Sequence, residues 1–293
     1  MSQTTIISER PTSWLLFKEI TKFRLSISVL FSSVAGYFLG AEFIRFDVLA
    51  LLIIGGYCMV GASNVFNQII ERDLDALMER TKLRPLPAGH MTVNRALALG
   101  LILTLIGLTA LYWINPKTAM FGAISIFLYV SVYTPLKTKT PLSVFVGALP
   151  GAIPFMLGWV AAAGSFGIEP GTLFMIQFFW QFPHFWAIGW FLDDDYKKAG
   201  FQMLPVIENE SNRTNRQILW HAFLLIPVSL FFVVTGILGE IYFWGASALG
   251  FGYLISGIPL LKDTTVDNAK LLLKTSVIYL PALLIVIFID LNS

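Results

Sequence analysis

The sequence is poor in charge and almost lacks cysteine. Only 13% of its 293 residues are charged, against about 25% in an average soluble domain. That density cannot cover a globule of this size with a solvated surface. It excludes an ordinary water-soluble enzyme and a disordered chain. The one cysteine, Cys58, excludes an intrachain disulfide and a thiolate metal cluster. Apolar residues are abundant instead, at 56%, with a mean hydropathy of +0.73. Such a chain buries its apolar residues against lipid as well as against itself, and reads as a polytopic membrane protein. The formal net charge of +2 says less than the placement of the charges.

Nine apolar runs approach the ~20 residues that a helical bilayer crossing needs. They cover 25–44, 48–70, 96–114, 118–133, 142–163, 171–192, 218–239, 241–261 and 271–291. Runs this long are not transmembrane strands, which take only ~10 residues each. The expected fold is an all-α membrane protein of nine transmembrane helices, bundled around a central cavity open to the cytoplasmic interface. Residues 1–24 mix Trp14, Leu15, Leu16, Phe17, Ile20 and Phe23 with Lys18, Lys22 and Arg24. They read as a cytoplasmic amphipathic segment on the membrane surface, not as a signal peptide.

With the N-terminus in the cytoplasm, all Lys and Arg residues except Arg45 and Lys117 fall on that side, Arg10 among them. This positive-inside bias supports nine crossings with the C-terminus outside. No connection is long enough for a separate domain, so 25–293 reads as one intramembrane unit. Two long cytoplasmic connections, 71–95 and 193–216, carry acidic clusters. They follow spans four helices apart, the spacing of a duplicated four-helix unit.

Chemistry concentrates at that face. Asn67, Glu71 and Asp75 are spaced four apart and drift only ~40° per step around a helix, so they share one face, which Ser63 continues into the membrane. Oxygen donors a turn apart suit Mg²⁺, which takes one or two carboxylates plus substrate phosphates. A solvated helix end would show the same charges. Arg80 and Arg84 follow, and Lys137 comes after Tyr133 at the end of span four. Guanidinium and ammonium groups pair with a diphosphate, although topogenic bias also places them here. In span six, Gln177, Gln181 and His184 form one polar stripe that a continuing helix extends to Asp195. An intramembrane histidine carries protons, binds metal, contacts substrate, or locks helices through Gln181. Pro183 is expected to bend this span, and Gly147, Pro150, Gly151 and Pro154 to kink span five beside a cavity. His90 and His221 lack matching partners and read as structural.

The run Asn67-x-x-x-Glu71-x-x-x-Asp75, with Glu79-Arg80-Thr81-x-x-Arg84-Pro85-Leu86, resembles the first aspartate-rich motif of UbiA-type intramembrane prenyltransferases. Within that superfamily, Trp180-Gln181-Phe182-Pro183-His184-Phe185 and Asp194-Asp195-Tyr196 resemble the protohaem IX farnesyltransferases, or haem O synthases. Thr21-Lys22-x-Arg24 is similar to that family's start. Glu71 stands where the family has aspartate. Phe191 stands where aromatic-ring prenyltransferases begin a second Asp-x-x-x-Asp.

The resemblance implies farnesyl diphosphate and haem B as substrates in a bacterial inner membrane. It also implies Mg²⁺ on Asn67, Glu71, Asp75 and Asp195, with Arg80, Arg84 and Lys137 on the leaving group. The acceptor would lie against Tyr133, Gln181, His184, Asp194 and Asp195. Haem A synthase or oxidase-assembly proteins would receive the product. A quinone-precursor prenyltransferase and a carrier using His184 are the alternatives.

Overall fold

The computed structural model describes residues 11–208, 212–291 and 293, so residues 1–10 of the N-terminal segment, Arg10 among them, lie outside. All regular structure among the described residues is helical. A short helix α1 (Ser13–Ile20) precedes nine long ones. These are α2 (Phe23–Gly40), α3 (Phe46–Ile70), α4 (Val93–Ile114), α5 (Pro116–Leu136), α6 (Ser143–Ala163), α7 (Ile168–Phe191), α8 (Arg213–Val234), α9 (Glu240–Lys262) and α10 (Val266–Leu291). Eight of them, among the described residues, are long and apolar enough to cross a membrane. The exception is α7, which at 24 residues is as long but carries Gln177, Gln181 and His184.

Helix ends differ from the hydropathy reading by a few residues because polar turns extend the apolar runs. Thus α8 starts at Arg213 and α10 at Val266. Asn115 caps α5, its side chain accepting from Thr118 N at 2.9 Å, with Pro116 in the first turn. Neither Pro150 and Pro154 in α6 nor Pro183 in α7 interrupts its helix.

Helix α7 packs against α6, α8 and α10, and its Leu173, Ile176, Phe178, Phe182 and Trp186 lie in the largest buried apolar cluster. The other close pairs are α3 with α4, α2 with α6, and α9 with α10. Outward faces carry large apolar side chains such as Leu105 (70% exposed), Trp113 (71%) and Val234 (78%). In water such surfaces would aggregate; against lipid they are solvated.

Where α2 meets α6, backbone touches backbone. A Cβ at Gly158 would stand 1.8 Å from Ser33 O, and one at Gly36 2.0 Å from Phe155 O. Small residues give transmembrane helices this close approach, because dispersion contacts and not water hold them together. Near its end, α5 widens into a π-helical turn over Leu128–Tyr133, where the Thr134 hydroxyl donates to Tyr129 O five residues back at 2.8 Å. Single π turns mark functional sites more often than plain helix does.

The glycine contact makes a prediction. Gly158→Ala must part α2 from α6 and should destabilise the detergent-solubilised protein by about 1–3 kcal/mol. Gly252, in α9 with no atom within 4 Å of its Cβ position, should tolerate alanine with no loss. Thermal unfolding of both variants checks this.

Candidate functional site

The α3 face runs on past its end. Glu71 leaves helical geometry, at φ −91° and ψ 9°, and a short helix Arg72–Asp75 follows. The four-residue ladder nonetheless persists, with Glu71 N donating to Asn67 O at 2.9 Å and Asp75 N to Glu71 O at 2.7 Å. Asn67, Glu71 and Asp75 therefore stay stacked on one face. All three are buried, at 0%, 4% and 0% exposure. A solvated helix end is excluded by that burial.

Each of the three has one basic partner, and each partner comes from a different segment. Lys137 Nζ lies 2.7 Å from Glu71 Oε1. Arg84 Nη1 donates to both carboxylate oxygens of Asp75 at 2.8 Å. Lys22 Nζ donates to Asn67 Oδ1 at 3.1 Å, while Asn67 Nδ2 donates to Thr134 Oγ1 at 3.3 Å. Burying a carboxylate is tolerated only with such partners.

Lys22 reads in the sequence as a charge of the N-terminal segment and a part of the Thr21-Lys22-x-Arg24 motif, with no place assigned to it in the site. It adopts the left-handed conformation, φ 48° and ψ 56°, at a cost of about 1–2 kcal/mol. Polar groups hold the turn there. Gln68 Nε2 donates to Ile20 O at 2.7 Å, Asn64 Nδ2 to Thr21 O at 3.2 Å, and the Ser26 hydroxyl to Thr21 O at 2.7 Å. Burial, with the Arg84 and Lys137 charges nearby, lowers the Lys22 pKa to about 7. A nearby anion would reverse that penalty.

The two acidic connections fold against each other. Met78, Ala199 and Phe201 form a small apolar cluster with Leu74 and Tyr196, and Gln202 N donates to Lys137 O at 2.7 Å. The stripe on α7 does not reach Asp195, because the helix ends at Phe191 and a separate helix, Asp193–Lys198, begins after Leu192. Asp195 instead accepts from the backbone amides of Glu79 at 3.1 Å and Arg80 at 3.2 Å. Partial desolvation raises its pKa, but those amides outweigh it and hold the carboxyl below its ordinary value. Asp194 is exposed. The exposed Arg80 side chain forms no ion pair with the buried carboxylates.

Behind this face lies a cavity of about 410 Å³, bordered by α2, α3, α5, α6, α7 and α10. Ser63 continues the α3 face into its wall, and Tyr129 and Tyr133 stand at the Lys137 end. The Tyr133 ring centroid lies 4.8 Å from Lys137 Nζ. Gly147 and Gly151 make room for the wall: a Cβ there would meet the Tyr133 ring at 2.6 Å and Gln181 Oε1 at 2.0 Å. Gln181 Nε2 donates to Ala148 O at 3.1 Å and Gln177 O at 3.0 Å. His184 also borders the cavity, but its Nδ1 pairs with Ser276 Oγ at 2.8 Å and not with Gln181. His221 packs among Phe179, Phe182 and Trp186, and His90 is exposed.

Among the described residues no group of three His, Cys, Asp or Glu side chains could hold a metal ion unaided. The donor set fits Mg²⁺ nonetheless. Two buried carboxylates and an amide oxygen are the hard donors that Mg²⁺ takes, and phosphate oxygens would have to complete its shell. They do not form the closed cage that a structural metal needs.

The pairing yields a stability prediction. Lys137→Met leaves Glu71 buried and uncompensated and should cost roughly 3–5 kcal/mol. Adding Glu71→Gln to that variant should restore most of the loss. Chemical or thermal unfolding of the two variants in detergent measures it.

Comparison with known proteins agrees with this geometry. The profile of the UbiA prenyltransferase family matches residues 29–278. A protein of Christiangramia forsetii named protoheme IX farnesyltransferase is 61% identical, with 99% of this chain and 98% of that protein covered. One of the same name from Flavobacterium psychrophilum is 58% identical over 94% and 93%. A digeranylgeranylglyceryl phosphate synthase structure aligns with a TM-score of 0.79 at 19% identity, covering 94% of this chain and 97% of the other. A UbiA homologue from Archaeoglobus fulgidus bound to GPP and Mg²⁺ aligns at 0.70 and 16%, covering 93% and 99%. The buried Asn67–Glu71–Asp75 face and the match over most of the chain lead to one conclusion: this protein is a member of the UbiA prenyltransferase family.

Proposed function

We propose that this chain transfers the farnesyl group of farnesyl diphosphate to the 2-vinyl group of haem B, giving the hydroxyethylfarnesyl side chain of haem O and free diphosphate. One observation carries the reading. Three buried oxygen-donor residues, each with its own basic side chain, stand at the mouth of an apolar cavity. The name borne by relatives up to 61% identical supports the choice of donor and acceptor.

Asn67, Glu71 and Asp75 would hold Mg²⁺ against the diphosphate, where it would stabilise charge building on the departing oxygens. Lys22, Arg84 and Lys137 neutralise the same oxygens from three sides. The allylic carbon becomes cation-like as its bond to oxygen lengthens. The electron-rich vinyl group attacks it, and water adds to the resulting cation, giving the hydroxyl group and releasing a proton. The walls built by Phe155, Phe185, Leu280 and Leu284 keep water from the allylic cation before the carbon–carbon bond forms. Tyr133, Gln181 and His184 contact the acceptor. Asp195, whose carboxylate already holds two backbone amides, positions the segment that carries Arg84 and is not a metal ligand. Asp194 and the exposed Arg80 lie at the rim.

The nine long helices, α7 included, cross the bacterial inner membrane with the site at the cytoplasmic face. The product passes from there to haem A synthase or oxidase-assembly proteins.

Incubating the purified protein with haem B, farnesyl diphosphate and Mg²⁺ should give haem O on chromatography, and EDTA should abolish it. Asp75→Ala should lose at least ~100-fold in turnover, because a metal supplies several kcal/mol of transition-state stabilisation. Product from 4-hydroxybenzoate with none from haem B would overturn the assignment in favour of an aromatic prenyltransferase.

A further inference from the structure

The cavity wall has a feature that the handling of diphosphate leaves unused. His184 projects from α7, and its Nδ1 lies 2.8 Å from the hydroxyl oxygen of Ser276 on α10. That hydroxyl has a single hydrogen, and it donates to Leu273 O at 2.6 Å. The oxygen is therefore the acceptor towards histidine, and Nδ1 carries the ring proton. In the neutral ring Nε2 is left with an open lone pair. Nε2 makes no hydrogen bond among the described residues, and the ring borders the cavity.

The ring is also held in orientation. Trp180 stacks on it with centroids 4.8 Å apart and planes 24° apart. Trp180 Nε1 in turn donates to Ser276 O at 2.8 Å, and the Tyr253 hydroxyl donates to Trp180 O at 3.1 Å. An imidazole with one nitrogen fixed by a hydrogen bond and the other bare is the arrangement of a metal-ligating histidine.

The rest of the wall says what kind of metal. No Asp, Glu, Cys, Lys or Arg lines the cavity. A free hard cation would find no carboxylate there. An iron already held by the four nitrogens of a macrocycle needs none. It needs one neutral nitrogen donor and aromatic and aliphatic walls, which Trp180, Phe185, Val277 and Leu280 provide.

We propose that His184 Nε2 is the axial ligand to the iron of the tetrapyrrole acceptor, with Ser276 setting its tautomer. This fixes which part of the acceptor docks deep on α7 and α10. It rests on the proposed function only for the presence of an iron porphyrin.

The test is a titration of ferric protohaem into the purified protein, without farnesyl diphosphate, followed by absorption and electron paramagnetic resonance. The intact protein should shift the Soret band and show an imidazole-ligated iron signal. His184→Ala should abolish that signal and weaken iron-porphyrin binding at least ~10-fold, while metal-free protoporphyrin binds as before. Added imidazole should restore the signal. Ser276→Ala keeps the ligand but frees its tautomer, and should weaken iron binding roughly 10–100-fold; it stands in if His184→Ala does not fold. The idea fails if the signal survives in His184→Ala, or if iron and metal-free porphyrins lose affinity equally. Haem O formation is read separately. Turnover with no imidazole signal refutes this ligation alone, and the signal with no turnover refutes the transfer reaction alone.

Discussion

Two carboxylates buried at the end of a membrane helix set the terms for everything around them. Glu71 and Asp75 are nearly inaccessible, and an isolated carboxylate in such a place would simply take up a proton. Lys137 and Arg84 keep them paired, and Lys22 does the same for the amide of Asn67. These partners arrive from the turn before α2, the connection after α3 and the end of α5. Three separate stretches of chain must therefore be in place before the acidic face can exist. The fold at this end of the bundle is organised by charge balance, and the rest of the bundle by packing against lipid and itself.

In the proposed reaction, the same arrangement makes this end both stable and reactive. A cation that pairs with a carboxylate in the resting protein can turn to a phosphate oxygen when substrate brings more negative charge. Neither partner need leave low-dielectric surroundings. The apolar cavity behind it supplies the complementary environment, in which a carbocation meets few nucleophiles. Polar and apolar chemistry meet along one line, from Asp75 through Ser63 into the wall that holds Gln181 and His184.

Much of this was legible in the sequence. Hydropathy located the long helices to within a few residues, because lipid selects apolar runs directly. Spacing by four placed Asn67, Glu71 and Asp75 together, and it held although the helix itself breaks at Glu71. The placement of Asp195 was not legible. A stripe drawn on an unbroken helix overlooks the turn at Leu192, which sends the carboxylate to the Glu79 and Arg80 amides. Lys22 was missed for a different reason. Its position depends on a left-handed residue clamped by Asn64 and Gln68, more than 40 residues away, and no periodicity encodes that. Ser276 lies 92 residues from His184 and was equally invisible.

The π-helical turn at Leu128–Tyr133 has a meaning beyond local geometry. It is in effect one extra residue tolerated within a helix, and it stands just upstream of Thr134 and Lys137. A deletion within that turn would close it to ordinary α-helix and leave Thr134 and Lys137 in register. A deletion in the plain helix before it, Pro116–Phe127, has no such slack. The segment could still span the bilayer, but its end would rotate by about 100° and take the ammonium away from Glu71. Residue number is thus a stricter constraint before the turn than within it, and descendants of this gene should lose a residue at Val130 or Ser131 more readily than upstream.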